Sequence, residues 1–384
     1  MVSSYYRYQE LPVESRGCRV VVWGKPGVWS WNRLSPGSAA LLDVIETEPG
    51  DRVLDLGCGT GIIGATVARW IPDGHVTLVD CCVPAVSSAE RTISENSLGN
   101  ADVHLSDGVT GLDAGSYDIV LCHLPRGRAV QEELIRGAAW VLRGGGRLYV
   151  VAHKQAGVKG AIAYARDLFG RCSVIRQRKG FHVAVAVKPD HLMVSQPGDG
   201  YIRRPVVLGG REVALVGKPG VFAWDRLDEG TAALVSAMQI GPDDRVLDLG
   251  CGTGLAGLAA AQCAVSGLVT LVDVDVRAVE SARRTLMANE VPNFEVMPSD
   301  CASAVWGQRF DVVITNPPFH QGVGVDFDVA HQFVAGASRV LRHGGRLFLV
   351  ANVHLRYSDA IRESFGAFNT AYADSRFQVL CAVA

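Results

Sequence analysis

The chain repeats itself at a fixed offset of 193 residues. GKPGVWSWNRL (24–34) returns as GKPGVFAWDRL (217–227), RVLDLGCGTG (52–61) returns unchanged at 245–254, and VTLVD (76–80) returns at 269–273. Tyr117 before Asp118 and Phe310 before Asp311 keep the spacing, so about a hundred residues align without a gap. LRGGGRL (142–148) then matches LRHGGRL (341–347) at an offset of 199, which places about six extra residues of the second copy within QGVGVDFD, directly after NPPFH. A period this long marks a duplicated domain rather than a solenoid repeat. The reading is therefore two related domains, 1–188 and 206–384, joined by a linker at 189–205 that is rich in Pro, Gly and charge. At 384 residues, 48% hydrophobic and 20% charged, the chain can fill two cores and is too apolar for disorder.

Within each copy, short β-branched runs alternate with segments of helical spacing: RVLDL, then IIGATVARW or LAGLAAAQC; VTLVD, then AVSSAERTISEN or AVESARRTLMAN; then DIVLC or DVVIT; then GRLYVVA or GRLFLVA. Strands that alternate with helices predict a parallel sheet covered on both faces. The fold class expected is α/β, two tandem doubly wound Rossmann-like domains.

In DLGCGTG a strand ends in a glycine-rich turn that leads into a helix, so a ligand can approach backbone that side chains would otherwise shield. Asp273 closes the next strand, nineteen residues after Gly254, where a carboxylate can take both hydroxyls of a ribose. Gly252, Gly254 and Gly257 also satisfy G-x-G-x-x-G, so a nicotinamide dinucleotide is the competing ligand. Asp248, two residues before Gly250, suits the ammonium of a methionine moiety, and Asp300 stands near the expected end of a third strand. With these residues in place, the chain resembles the class I S-adenosylmethionine-dependent methyltransferases. That resemblance implies S-adenosyl-L-methionine as cofactor, held by Asp248, Gly250, Gly252, Gly254, Asp273 and Asp300. The first copy retains the set as Asp55, Gly57, Gly59, Gly61, Asp80 and Asp107.

After its fourth strand the second copy reads Thr315, Asn316, Pro317, Pro318, Phe319, His320. The exocyclic amine of a base is a poor nucleophile because its lone pair is delocalised into the ring. Two acceptors placed on its hydrogens favour the pyramidal nitrogen and stabilise the positive charge that develops on it. The side-chain oxygen of Asn316 and the carbonyl of Pro317 can be those acceptors. The two prolines stiffen the turn and supply no competing N–H. Phe319 can stack on an extruded base. None of this chemistry calls for a metal. His320 reads equally as a capping or surface residue and as a substrate contact.

Asn-Pro-Pro-Phe-His-x-Gly, PGVF followed by LD-x-G-T, and FGAFNT together make the chain similar to the duplicated-domain ribosomal RNA guanine-N2 methyltransferases. The resemblance covers nearly the whole chain. It implies a catalytic second domain acting through Asn316, Pro317, Pro318 and Phe319, and a first domain that has lost activity and helps to bind RNA. Phe222 in PGVF either closes over the cofactor or base, or packs in the core. The first copy departs from the family in keeping its glycine loop, so whether Asp55, Gly57, Gly59 and Asp80 still hold cofactor is left open. At its target edge, His123, Leu124, Pro125 and Arg126 lack both the amide and the ring, and no methyl transfer is expected there. Methylation of adenine N6 or of a protein glutamine amide, and a cofactor-sensing RNA-binding protein without activity, are the alternatives.

Residues 126–188 hold 13 Lys or Arg against 3 acids, whereas 319–384 hold 6 against 5. Only the first copy therefore offers a candidate polyanion surface, with ribosomal RNA or a ribosomal subunit as the expected partner. MVSSYYRYQELPVESRG contains no continuous apolar run, so neither a signal peptide nor a membrane span is predicted. Ten scattered cysteines without a Cys-x-x-Cys pair read as reduced thiols. The expectation is a cytoplasmic monomer whose tandem domains imitate a dimer.

Overall fold

The computed structural model describes residues 4–318, 327–355 and 357–384. By their internal contacts these residues form two compact units, one of residues 6–200 and one of residues 201–384 with the short segment at residues 4 and 5. Each unit holds a seven-stranded sheet and a separate two-stranded antiparallel hairpin.

In the second unit the sheet runs, from edge to edge, Phe294–Pro298, Leu268–Asp273, Arg245–Leu249, Phe310–Thr315, Leu341–Asn352, Phe377–Val383 and Asn369–Ala373. The first unit repeats this order with Ala101–Leu105, His75–Asp80, Arg52–Leu56, Tyr117–His123, Leu142–His153, Phe181–Val187 and Cys172–Arg178. The first five strands of each sheet are parallel, as the alternation of strands and helices predicts. The sheet as a whole is mixed rather than parallel, because the last strand of each copy pairs antiparallel with both neighbours. Only residues 374–376 separate Asn369–Ala373 from Phe377–Val383, far too few for the crossover that a parallel pair needs.

The central strands are buried along nearly their whole length, consistent with helices on both faces. An acid at the start of the fourth strand secures the neighbouring strand ends in both copies. Asp311 accepts from the Arg245 N–H at 2.6 Å and pairs with Arg342; Asp118 accepts from the Arg52 N–H at 2.7 Å and pairs with Arg143. The hairpins Gln9–Ser15 with Cys18–Gly24, and Ile202–Leu208 with Arg211–Gly217, dock through an asparagine amide that imitates a strand. Asn289 accepts from the Ala214 N–H at 3.0 Å and donates to the Ala214 carbonyl at 2.7 Å; Asn96 does the same for Val21 at 2.9 and 2.6 Å. These bonds satisfy backbone that a free hairpin edge would expose.

Helix Leu255–Cys263 starts close against helix Val276–Ala288 because Gly254 precedes it. Gly254 has φ 80°, and a Cβ there would lie 2.8 Å from the Cα of Ala282. Gly254→Ala is expected to lower unfolding stability by about 1–3 kcal/mol from the left-handed backbone alone. Gly307→Ala, where a Cβ meets nothing within 4 Å, is expected to be nearly neutral. Denaturant unfolding of the two variants checks this.

Candidate functional site

The second unit assembles its site at the carboxyl ends of strands Arg245–Leu249 and Phe310–Thr315. These strands are neighbours in the sheet, so residues far apart in sequence emerge side by side. Gly250, Gly252 and Gly254 all take positive φ (78°, 54° and 80°). The turn is tied to the next strand by N–H donation from Gly250 and Cys251 to the Val272 carbonyl, at 2.9 and 3.0 Å. A Cβ at Gly252 would meet nothing nearer than the Phe222 carbonyl at 3.9 Å, so the turn presents open backbone.

Two carboxylates hold that turn. Asp248 is buried and accepts from the Gly257 N–H at 2.8 Å, in the first turn of the following helix. Burial pushes its pKa up to about 7, against the lowering effect of that N–H, and the charge of Asp273 pushes the same way as burial. Asp273 accepts from Gly252 at 2.9 Å and from Asp275 at 3.0 Å, and burial raises it to about 6. A carboxylate offers about four acceptor sites, so Asp273 keeps capacity for a ligand beside its backbone donors. Asp300 is buried, and its Oδ1 accepts from the Tyr5 hydroxyl at 2.7 Å.

Phe222, Asp228, Asp248, Gly250, Gly252 and Asn316 line one pocket. Of the site residues read from the sequence, Asp248, Gly250, Gly252 and Asn316 are brought together here, whereas Gly254, Asp273, Asp300, Pro317 and Pro318 do not line this pocket. Phe222 is 62% exposed at the rim, which removes the core reading for it. Thr315 donates to the Leu249 carbonyl at 2.7 Å and fixes the strand end from which Asn316 emerges. The Asn316 amide nitrogen donates to Asp228 Oδ2 at 3.0 Å and to Thr231 Oγ1 at 3.1 Å. Among the described residues its buried Oδ1 has no hydrogen-bond partner. Such an orphaned acceptor is costly unless a ligand satisfies it. Pro317 is buried and Pro318 exposed. Phe319, His320 and most of the six-residue insertion lie outside the described residues.

Asp228 and Thr231 were noted in the sequence only as part of LD-x-G-T, with no chemistry attached. The signal that identifies them is the comparison of copies. At the same offset as Asn316 and His123, the pair Asp228 and Thr231 becomes Ser35 and Ser38.

The first unit builds the same turn from its own residues. Asp55 accepts from Gly64 at 2.8 Å, and Asp80 accepts from Gly59 and Cys82, each at 2.9 Å. Gly57, Gly59 and Gly61 have φ 81°, 55° and 76°. Its target edge differs. Among the described residues the buried Nδ1 of His123 has no hydrogen-bond partner, and burial lowers its pKa to about 4, so the ring is neutral. The edge of the ring packs on Trp29 at 4.5 Å and on Phe181 at 5.7 Å between centroids.

The basic stretch is partly spent on local structure. Arg128 pairs with Glu132, Arg143 with Asp118, Arg147 with Glu46 and Asp51, and Arg176 and Arg178 with Asp43. Lys188, counted toward the polyanion surface, is buried and donates to the Leu142 carbonyl at 2.6 Å, so it does not belong to that surface. Arg126, Arg136, Lys154, Lys159, Arg166, Arg171 and Lys179 are exposed. Among the described residues, no helix is long and apolar enough to cross a membrane.

The family model "Methyltransferase small domain" matches residues 19–185 and again 212–381. A protein of Pseudomonas entomophila named ribosomal RNA small subunit methyltransferase C is 32% identical over 280 residues, 73% of this chain and 82% of that one. An Escherichia coli protein of the same name is 42% identical over 165 residues, 43% of this chain and about half (48%) of its own length. A solved T. thermophilus 16S rRNA N2 methyltransferase, in complex with AdoMet and guanosine, superposes with a TM-score of 0.85 at 31% identity, covering 99% of this chain and 98% of that one. With the family model matched in both copies and a relative of this similarity aligned along most of its length, the chain belongs to the methyltransferase small domain family, twice over.

Proposed function

We propose that the protein transfers a methyl group from S-adenosylmethionine to the exocyclic N2 amine of a guanine in small-subunit ribosomal RNA, with the second domain doing the chemistry. One observation carries the reading: the buried Oδ1 of Asn316, without a hydrogen-bond partner among the described residues, in the same pocket as the glycine turn and Asp248. Relatives named ribosomal RNA small subunit methyltransferase C support the rRNA substrate, and the T. thermophilus 16S rRNA N2 methyltransferase pairs the same fold with AdoMet and guanosine.

The residues present fit the cofactor. Asp248 is a buried carboxylate suited to an ammonium, open backbone lies above Gly252, and Asp273 keeps acceptor capacity for ribose hydroxyls. Gly250 and Gly254 shape the turn, and Asp300 is assigned to the adenine end. The cofactor supplies an electrophilic methyl on a sulfonium. Asn316 Oδ1 and the Pro317 carbonyl accept the two amine hydrogens, which localises the nitrogen lone pair and stabilises the charge that develops as the new bond forms. Pro318 stiffens the turn, and Phe319 is assigned to stacking on the base.

The first domain, in this proposal, does not transfer methyl groups and holds phosphate backbone through its exposed cations. Division of the chain into 1–188, a linker at 189–205, and 206–384, a monomeric state and a cytoplasmic location belong to the same proposal.

Labelled S-adenosylmethionine offered with ribosomal subunits, naked rRNA, DNA and protein extract tests it. Label recovered as N2-methylguanosine is the expected result; label only in DNA or protein overturns it. Asn316→Ala is expected to reduce turnover at least about a hundredfold, as loss of one preorganised transition-state contact does, with cofactor affinity unchanged.

Cofactor affinity is expected to depend on pH through Asp248. Its pKa of about 7 means that the carboxyl is neutral at lower pH and pairs with an ammonium only when ionised. Affinity should therefore weaken as pH falls below 7, by up to about tenfold per pH unit, and level off above pH 8. Titration calorimetry across this range should show the slope in the wild type and its loss in Asp248→Asn.

Lys159 and Arg166 lie seven residues apart on helix Val158–Phe169 and so share a face. Replacing both by Ala should weaken RNA binding and reduce the slope of log affinity against log salt by about 1 per lost phosphate contact. An unchanged slope would remove this face from the RNA contact.

A further inference from the structure

We propose that Asp228 is a positioning residue for methyl transfer: with Thr231 it decides which way round the Asn316 amide sits. This inference rests on the amine-acceptor reading above. The oxygen and nitrogen of an amide are nearly equal in size, so the pocket shape alone does not choose between two orientations related by a half-turn. The choice matters chemically. One orientation offers an acceptor to the target amine; the other offers NH₂, a donor facing a donor.

Asp228 breaks the tie because an ionised carboxylate only accepts. Its Oδ2 takes the Asn316 N–H at 3.0 Å, and Thr231 Oγ1 takes the other at 3.1 Å. Turning the amide over would set Oδ1 against the carboxylate, losing the bond and adding repulsion between two oxygens. The carboxylate is itself held: Asp228 caps helix Glu229–Ala237, with the same Oδ2 accepting from the Thr231 N–H at 3.0 Å. Gly230 leaves the room, since a Cβ there would lie 3.0 Å from Asp228 Oδ2 and 3.5 Å from the Asn316 nitrogen. With both N–H groups engaged, Oδ1 is left buried and, among the described residues, without a partner.

The first domain supplies the internal control. Its cap Ser35 accepts from the Ser38 N–H at 2.9 Å and donates to the Ser38 hydroxyl at 3.0 Å, and the residue at the edge is His123. The helix is capped equally well, so capping alone does not require an aspartate at this position. All three members of the set differ together, as expected of parts that work only in combination.

The test uses the full-length chain with naked small-subunit rRNA and S-adenosylmethionine. It reads kcat, KM for RNA and the cofactor Kd, with product identified as N2-methylguanosine. Asp228→Ser keeps the cap, as Ser35 shows, and is expected to lower kcat roughly tenfold or more while leaving cofactor Kd within about twofold. Asp228→Asn, whose oxygen can still accept from Asn316, should retain most of the turnover. Adding Asp228→Ser to Asn316→Ala should cost nothing further, since the group it orients is gone. Asn316→Asp alone should be nearly inactive, with two carboxylates facing each other. Wild-type kcat in Asp228→Ser, a cofactor Kd that rises in step with the fall in kcat, or losses that multiply in the double variant would each overturn the assignment. A wild-type chain that places no methyl on guanine refutes the underlying function instead, and is read from the same product analysis.

Discussion

A carboxylate buried at the end of the first sheet strand is the constraint on which the rest of this architecture hangs. Asp248 reaches across the glycine turn to the Gly257 N–H, and Asp273 reaches back from the next strand to Gly252. The turn is thereby fixed at both ends with its open backbone facing outward. Burying these acids carries an electrostatic cost, visible in pKa values raised to about 7 and about 6. A positive charge placed beside these acids would relieve that cost. The first copy repeats both links through Asp55 and Asp80, and burial raises Asp55 to about 7 as well.

Duplication then allowed the two target edges to diverge on a common frame. In the second copy an amide emerges beside a carboxylate and a hydroxyl, and its two donors are consumed so that its acceptor is free. In the first copy the imidazole of His123 packs among Trp29 and Phe181 and is held neutral by burial. A neutral imidazole has one donor and one acceptor nitrogen on a rigid ring and cannot reproduce an amide clamped on two donors. The difference between the copies therefore lies in three side chains around one strand end, while the cradle beneath them is the same.

Charge follows a similar division. The first copy carries the basic excess, but much of it is committed: five arginines pair with acids and Lys188 lies in the interior. The exposed remainder, on and around two helices and the adjoining turns, is smaller than the sequence count of 13 implies and is the part suited to phosphate.

The repeat, the alternation of strands with helices, and the glycine turn with its acids were legible in the sequence because each is local: a period, a spacing, or a residue type that the backbone demands. The five parallel strands and the cradle were readable for that reason. The antiparallel end of each sheet was not read, since a three-residue connection decides strand direction and alternating hydrophobicity does not. Nor was the use of Lys188, because partners 46 residues away in the chain leave no mark on charge counting. Asn316 could be named from its motif, yet nothing in NPPFH says which end of its amide faces the pocket. That orientation is set by Asp228 and Thr231, 88 and 85 residues earlier, and only packing of the sheet against helix Glu229–Ala237 brings them within hydrogen-bonding distance. Residue type and local spacing determined what chemistry this chain can hold; tertiary structure decided which atoms of those residues are left free to do it, because hydrogen-bond saturation is settled by neighbours in space.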